Sequence, residues 1–142
     1  YLRVPIADRV RNTSRQSFFA PGTIIRVNVD TNHPIGYGMQ PEAHAMFVNN
    51  GAYLPTEDAQ NTMTTIVRYP DSALPQSGWM IGAALLQGSA GVIEAPTGRG
   101  RVIAHTFRVQ HRGQTSGTFK LLFNSIFYGS ALAGQTSIEI SQ

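Results

Sequence analysis

The 142-residue chain contains no cysteine. Disulfides, a thiolate zinc site and a cysteine nucleophile are therefore excluded within it, while the compartment stays open, because Cys-free domains occur on both sides of the redox divide. Lysine is nearly absent too: Lys120 stands alone against ten arginines. Charged residues make up only 13%, where soluble domains carry roughly 25%. So few charges lead us to expect that another domain or a second subunit covers part of the surface. No stretch reaches the ~18 consecutive apolar residues that a membrane-spanning helix needs, and no signal-peptide pattern is present. The chain opens on Tyr1 rather than Met, and on that ground a piece of a longer polypeptide is expected.

What the sequence does hold is enough for a core. Hydrophobic residues reach 42%, punctuated by 14 Gly and 8 Pro, which describes a globular chain and not a disordered one. The length suits a single domain over 1–142. The formal net charge is +3, and Arg3, Arg9, Arg11 and Arg15 fall in the first fifteen residues. A basic arm invites a nucleic-acid reading. Such footprints, however, interleave their cations with aromatics or carry a known motif. Neither is visible along this arm, so no nucleic-acid partner is expected and the arm reads as a solvated or domain-facing segment.

Along the chain, residues 1–17 are polar, with loosely spaced apolar positions that suggest the end of a helix. A Pro-Gly turn then precedes a β-branched strand at Thr23–Val29. Residues 31–39 read as loop, and Pro41 suits the first position of a short helical turn. Strand pieces are expected at Met46–Val48, Ala52–Leu54 and in "TTIVRYP" (64–70), with a short helix at Trp79–Leu86. Val92–Ala95 and Arg101–Phe107, joined by Pro-Thr-Gly-Arg-Gly, predict a β-hairpin. Phe119, Leu122, Phe123, Ile126 and Phe127 recur at helical spacing, which predicts an amphipathic helix over Ser116–Tyr128 with that stripe buried. Thr115 or Ser116 would cap it and Gly129 would end it. "SIEIS" near the C-terminus suggests a last edge strand. Together these elements predict an α/β domain with a mixed sheet and flanking helices.

Metal chemistry finds little purchase. His33, His44, His105 and His111 form no H-x-H, H-x-x-E or H-x-x-x-H pair, and zinc sites favour ligands at such spacings. Alternation along its strand makes His105 a half-buried structural residue, and His33, before Pro34, suits a turn. "PTGRGR" (96–101) lacks the Gly-Lys-Ser/Thr ending of a phosphate loop and leads into a strand, which leaves a hairpin turn. "QHRGQTSG" (110–117) has better placement, between a strand and a helix start, where ligands gather in open α/β sheets. Arg112 and free amides at Gly117 and Thr118 could receive an anion there. Alternatively, Gln114, Thr115 and Ser116 only cap the helix.

"GRGRVIAHTFRVQHRGQTSGTFKLLFNSIFYG" resembles the closing segment of the class I glutamine amidotransferase-like domain appended to certain bacterial zinc carboxypeptidases. "FFAPGTIIRVNVDTNHPIGYGM" is similar to an earlier segment, and "SGWMIG" falls between them. The resemblance runs from about Phe18 to Tyr128. It implies a partial flavodoxin-like domain, and a parent with an exported (periplasmic or extracellular) peptidase domain that uses one zinc. None of that zinc machinery lies in these residues, so no cofactor is expected in this chain. Active amidotransferases pair a Cys nucleophile with a His-x-Glu. At the position that resembles this pair His111 is retained, but Gly113 carries no carboxylate, so the triad logic fails. The resemblance therefore implies a non-catalytic accessory domain whose partner is the parent's peptidase domain or a second subunit. Two other readings remain open. One is a small-anion or peptide-carboxylate binder using His111, Arg112, Gln114, Thr115 and Ser116; the other is a structural, self-assembling protein.

Overall fold

The computed structural model describes residues 4–72, 75–98 and 100–134. Eight strands form one sheet: β1 (Ile6–Asp8), β2 (Phe19–Val29), β3 (Glu42–Phe47), β4 (Tyr53–Pro55), β5 (Thr64–Arg68), β6 (Pro75–Ile81), β7 (Ala90–Thr97) and β8 (Gly100–His105). Helix α1 (Phe119–Gly134) follows. The main strand order is β1-β4-β7-β5-β2-β3, with β6 also on β2 and β8 on β7. The chain is thus an α/β domain made mostly of strand.

Every described ladder is antiparallel, where a mixed sheet with flanking helices was expected. The connections explain the difference. A parallel pair needs a crossover of a dozen or more residues, usually helical, and the strands here are joined by loops and single 3-10 turns. In the hairpin β7–β8, Thr97 pairs with Gly100, and Gly98 opens the turn at a φ of 58°, the left-handed backbone that a two-residue connection demands.

Several local expectations are corrected. Residues 4–17 contain strand β1 and turns where the end of a helix was expected, and β3 runs where a helical turn at Pro41 was expected. Pro21 and Gly22 lie inside β2, at a register shift against β6, so they make a bulge and not a turn. Trp79 belongs to β6, and only Ala83–Leu86 coils, as a 3-10 turn. The expected edge strand at "SIEIS" lies outside the described residues.

The core sits on both faces of β7, whose residues Ala90–Ala95 are all buried. Successive side chains of a strand point to opposite faces. Val92 accordingly joins Ile25, Val27, Phe47, Val67 and Tyr69 in the main cluster. Ile93 joins Met63, Ala59 and Ala95 in a second one. Tyr69 is fully buried and its hydroxyl meets Thr106 Oγ1 at 3.0 Å. Burial pushes that phenol well above its ordinary pKa.

Helix α1 departs most from expectation. It begins after a 3-10 turn at Ser116–Thr118 and runs past Gly129 to Gly134. Leu121 is completely buried in the main cluster, a burial that contributes about 1.5–3 kcal/mol. Phe123, Ile126 and Phe127, expected in the core, are 54%, 57% and 72% exposed. The apolar periodicity located the helix correctly but gave the wrong inward face. Periodicity shows that a stripe prefers cover; it does not identify the cover.

Candidate functional site

The inward face of α1 is mostly polar, and each polar group on it has a partner. Asn124 donates to the carbonyls of Ile35 (2.9 Å) and Tyr37 (3.0 Å), which ties the helix to the 3-10 turn Pro34–Gly36. Ser125 Oγ donates to the Leu121 carbonyl at 2.7 Å and lies 3.2 Å from His105 Nε2. The hydroxyl has only one proton, already given away, so His105 must donate and its proton resides on Nε2. His105 Nδ1 is then a buried acceptor with no partner among the described residues. Burial holds the pKa of this imidazole below its ordinary value, because the proton it would gain meets no acceptor there.

One turn further along, Tyr128 reaches a cluster that the sequence reading did not assemble. Glu94 is buried on β7, and its Oε2 lies 2.8 Å from His33 Nε2. Its Oε1 receives Arg101 from β8, with the Tyr128 hydroxyl at 3.4 Å. The Tyr128 ring stands edge-on to His33 at 5.3 Å. The Ile35 N–H donates to His33 Nδ1 at 3.2 Å. An amide N–H cannot accept, so the His33 proton sits on Nε2 and is donated to Glu94. Both imidazole nitrogens are therefore occupied, and the pair is a clamp and not a free general base. The hydrogen bond to Glu94, and then the carboxylate's charge, push the Arg101 guanidinium further up. Burial, followed by the charge on Glu94, raises Tyr128. Period-2 alternation within the hairpin was the available signal: Glu94 is opposite Ile103, and Arg101 is two positions from it along β8.

The loop singled out from sequence lies apart from this cluster. His111–Gly113 forms a 3-10 turn, with Arg112 at a φ of 48° and Gly113 at 73°. Arg112 is exposed and has no side-chain partner among the described residues. Neither expected cap is made: Thr115 forms no capping hydrogen bond. Thr118 holds the loop instead, its Oγ1 within 2.8 Å of the carbonyls of both Val109 and Thr115. The Thr118 N–H, expected to be free for an anion, donates to the Thr115 carbonyl at 3.0 Å. Thr115 and Ser116 help line an open cavity of about 680 Å³ together with His44, Met39, Phe119 and Lys120. His111, Arg112 and Gln114 are not among its lining residues, so the five candidates do not converge. Lys120, the cavity's cation, donates to the Gly38 carbonyl at 2.7 Å.

Among the described residues no group of three or more His, Asp or Glu side chains is arranged to hold a metal, and no helix is long and apolar enough to cross a membrane. Another cavity, about 540 Å³, lies between the 31–37 segment and α1 and is walled by Pro34, Tyr37, Phe127 and Tyr128. Tyr37 is 76% exposed. The outward stripe of α1 thus continues into apolar ground on the 34–39 loop. No family model, curated protein or solved structure matches this chain.

Proposed function

We propose that this chain is a non-catalytic accessory domain that works by docking, with the outward face of α1 as its contact surface. The observation that carries this reading is the run Phe123, Ile126 and Phe127, beside Tyr37, all more than half exposed. The helix holds one charged residue, Lys120, in its sixteen positions, so a neighbouring surface meets almost no charge there. Exposed apolar patches of this kind mark interaction surfaces in soluble domains. The partner that the sequence resemblance suggests is the zinc peptidase domain of an exported carboxypeptidase-like parent; a second copy of the chain is the alternative. The antiparallel ladders do not add support to the flavodoxin-like part of that resemblance, and the docking reading does not depend on it.

The clamp chemistry is consistent with a positioning role. His33 has no free nitrogen, His111 lacks a carboxylate two residues on, and the chain has no cysteine. Purified chain should therefore show no glutaminase and no carboxypeptidase turnover. The docking reading is tested by sedimentation and calorimetry of the chain with the peptidase domain of its parent, using wild type and Ile126→Glu/Phe127→Glu. A complex that the double variant loses while keeping its melting temperature is the expected result. If no complex forms with that domain, and the wild type neither self-associates nor binds an apolar dye, docking is wrong.

A further inference from the structure

The segment between β1 and β2 and the turn after β3 enclose an open cleft of about 350 Å³. Four of the eight arginines in the described residues are committed. Arg9 donates to the Gln87 carbonyl and Arg68 to that of Gly88, Arg26 meets Glu42, and Arg101 meets Glu94. Two that line this cleft are not. Among the described residues Arg11 has no partner, and Arg15 has only a ring, its Cζ lying 5.8 Å from the Phe19 centroid.

The rest of the lining also offers donors. The Ala20 N–H donates to Asn49 Oδ1 at 2.9 Å, and the Val48 N–H donates to Asn50 Oδ1 at 3.3 Å. A backbone N–H can only donate, so each amide turns its oxygen to it and keeps its NH₂ as a spare donor. Asn49 holds a left-handed φ of 46°, a conformation asparagine tolerates better than most residues. Among the described residues Asp8 is the one acid in the lining, and its Oδ1 already accepts from the Val10 and Ala52 N–H groups, each at 3.0 Å. Two guanidiniums against one engaged carboxylate leave the cleft positive.

Beside it are flat rings. Phe19 lines the cleft, and Trp79 stands edge-on to Phe19 at 5.8 Å while remaining 56% exposed. The direct cross-strand neighbour of Trp79 is Gly22, which has no side chain to cover the indole. The sequence reading missed this grouping because the rings come from β2 and β6 and the cations from the segment before β2.

We propose that this surface binds single-stranded nucleic acid, with phosphates in the donor cleft and a base stacked on Trp79. A positive groove with adjacent aromatic faces is how single strands are held without sequence readout. An acidic peptide would use the arginines but leave the indole idle, and a duplex hides the base faces that stacking requires. Trp79 is the sole tryptophan, so its fluorescence reports on the site.

The test titrates the whole chain with a short oligothymidylate, and in parallel with polyglutamate of equal charge, a DNA duplex and inorganic phosphate. The oligothymidylate should quench Trp79. If two phosphates are neutralised, affinity should fall about sevenfold between 50 and 200 mM salt, from a slope of about −0.7 per phosphate. Arg11→Gln should reduce that fall to about 2.6-fold by the same relation and leave the melting temperature unchanged. Trp79→Ala, followed through the anisotropy of a labelled oligothymidylate, should weaken binding by about fivefold or more. No quenching at 50 mM salt overturns the proposal, as does equal affinity for polyglutamate or duplex, or an unchanged salt dependence in Arg11→Gln.

Discussion

On the inward side of α1, Asn124, Ser125 and Tyr128 surround Leu121, and each makes hydrogen bonds to another element. On the outward side, Phe123, Ile126 and Phe127 make none and stay exposed. Positions 121, 124, 125 and 128 fall on one side of a 3.6-residue helix, and 123, 126 and 127 fall on the opposite side. The helix is therefore attached mainly by polar geometry around one buried leucine, and its larger apolar surface is left over. A helix can thus be fixed to its own domain by a few specific hydrogen bonds while its hydrophobic stripe stays uncovered.

The largest test of this contrast sets the two sides against each other. Leu121→Ala should cost about 2–5 kcal/mol, the range for emptying a fully buried leucine site. Phe123→Ala should stay within about 0.5 kcal/mol, as surface substitutions do, although Phe123 is the larger residue. Urea unfolding of both variants decides this, and the reverse order would mean that the helix is rotated by half a turn.

A smaller loss is expected at the clamp. Glu94→Ala leaves the His33 Nε2–H in a nearly buried position without its acceptor, and stranding such a group costs about 1–3 kcal/mol. Arg101 adds little, since its side chain is 44% exposed and water can replace the carboxylate. Tyr128→Phe should cost less than Glu94→Ala, because its hydroxyl contacts to Glu94 and Arg101 are both long at 3.4 Å. Equal losses in the two variants would move the anchor of the clamp from the carboxylate to the phenol.

The inward face also predicts a pH dependence. Burial lowers the pKa of His105, so the folded chain resists protonation there while the unfolded chain protonates near the ordinary value of about 6.5. As pH falls below that value, the unfolded state binds more protons and stability declines until the folded pKa is reached. Above about pH 6.5 this contribution is fully present. His105→Gln should flatten that part of the profile relative to wild type, as urea midpoints at pH 7.5 and 5.5 would show. A steeper acid loss in the variant would contradict the neutral, Nε2-protonated form.

Elements governed by local rules were legible in the sequence. The β7–β8 hairpin followed from two β-branched runs around glycines, β5 from its run of residues stopped by Pro70, and α1 from its periodicity; His33 does cap a turn, at Pro34–Gly36, and His105 is half-buried as its strand position required. What was not legible depends on distant partners. Beyond the hairpin alternation that sets it near Arg101, Glu94 gave no signal, because its meaning comes from His33, 61 residues earlier, and from Tyr128 on the helix. The inward face of α1 was misjudged for the same reason: Asn124 and Ser125 look like solvent-facing residues until the Ile35 carbonyl and His105 are placed beside them. The Arg15, Phe19 and Trp79 grouping required strand pairing to become visible, whereas the arginine arm seen alone pointed away from it.

The smallest expected effect belongs to the loop that looked most like a site. If Arg112 anchored its own chain, Arg112→Lys would lower stability, because a lysine cannot reproduce the planar, forked geometry of a guanidinium. The guanidinium has no partner among the described residues, and its backbone holds a φ of 48°, which lysine tolerates no better and no worse. Arg112→Lys should therefore leave the melting temperature unchanged. Anion binding at the loop would appear differently: millimolar phosphate would raise the wild-type melt and raise that of Arg112→Lys less, since bidentate pairing is lost. Thr118 has spent its N–H on Thr115 and Lys120 is held by Gly38, so two of the donors such a site would use are already occupied. The expectation is thus no phosphate shift in either protein. A clear shift in wild type alone would restore the loop as a binding site and weaken the contrast between an attached inner face and an exposed outer one.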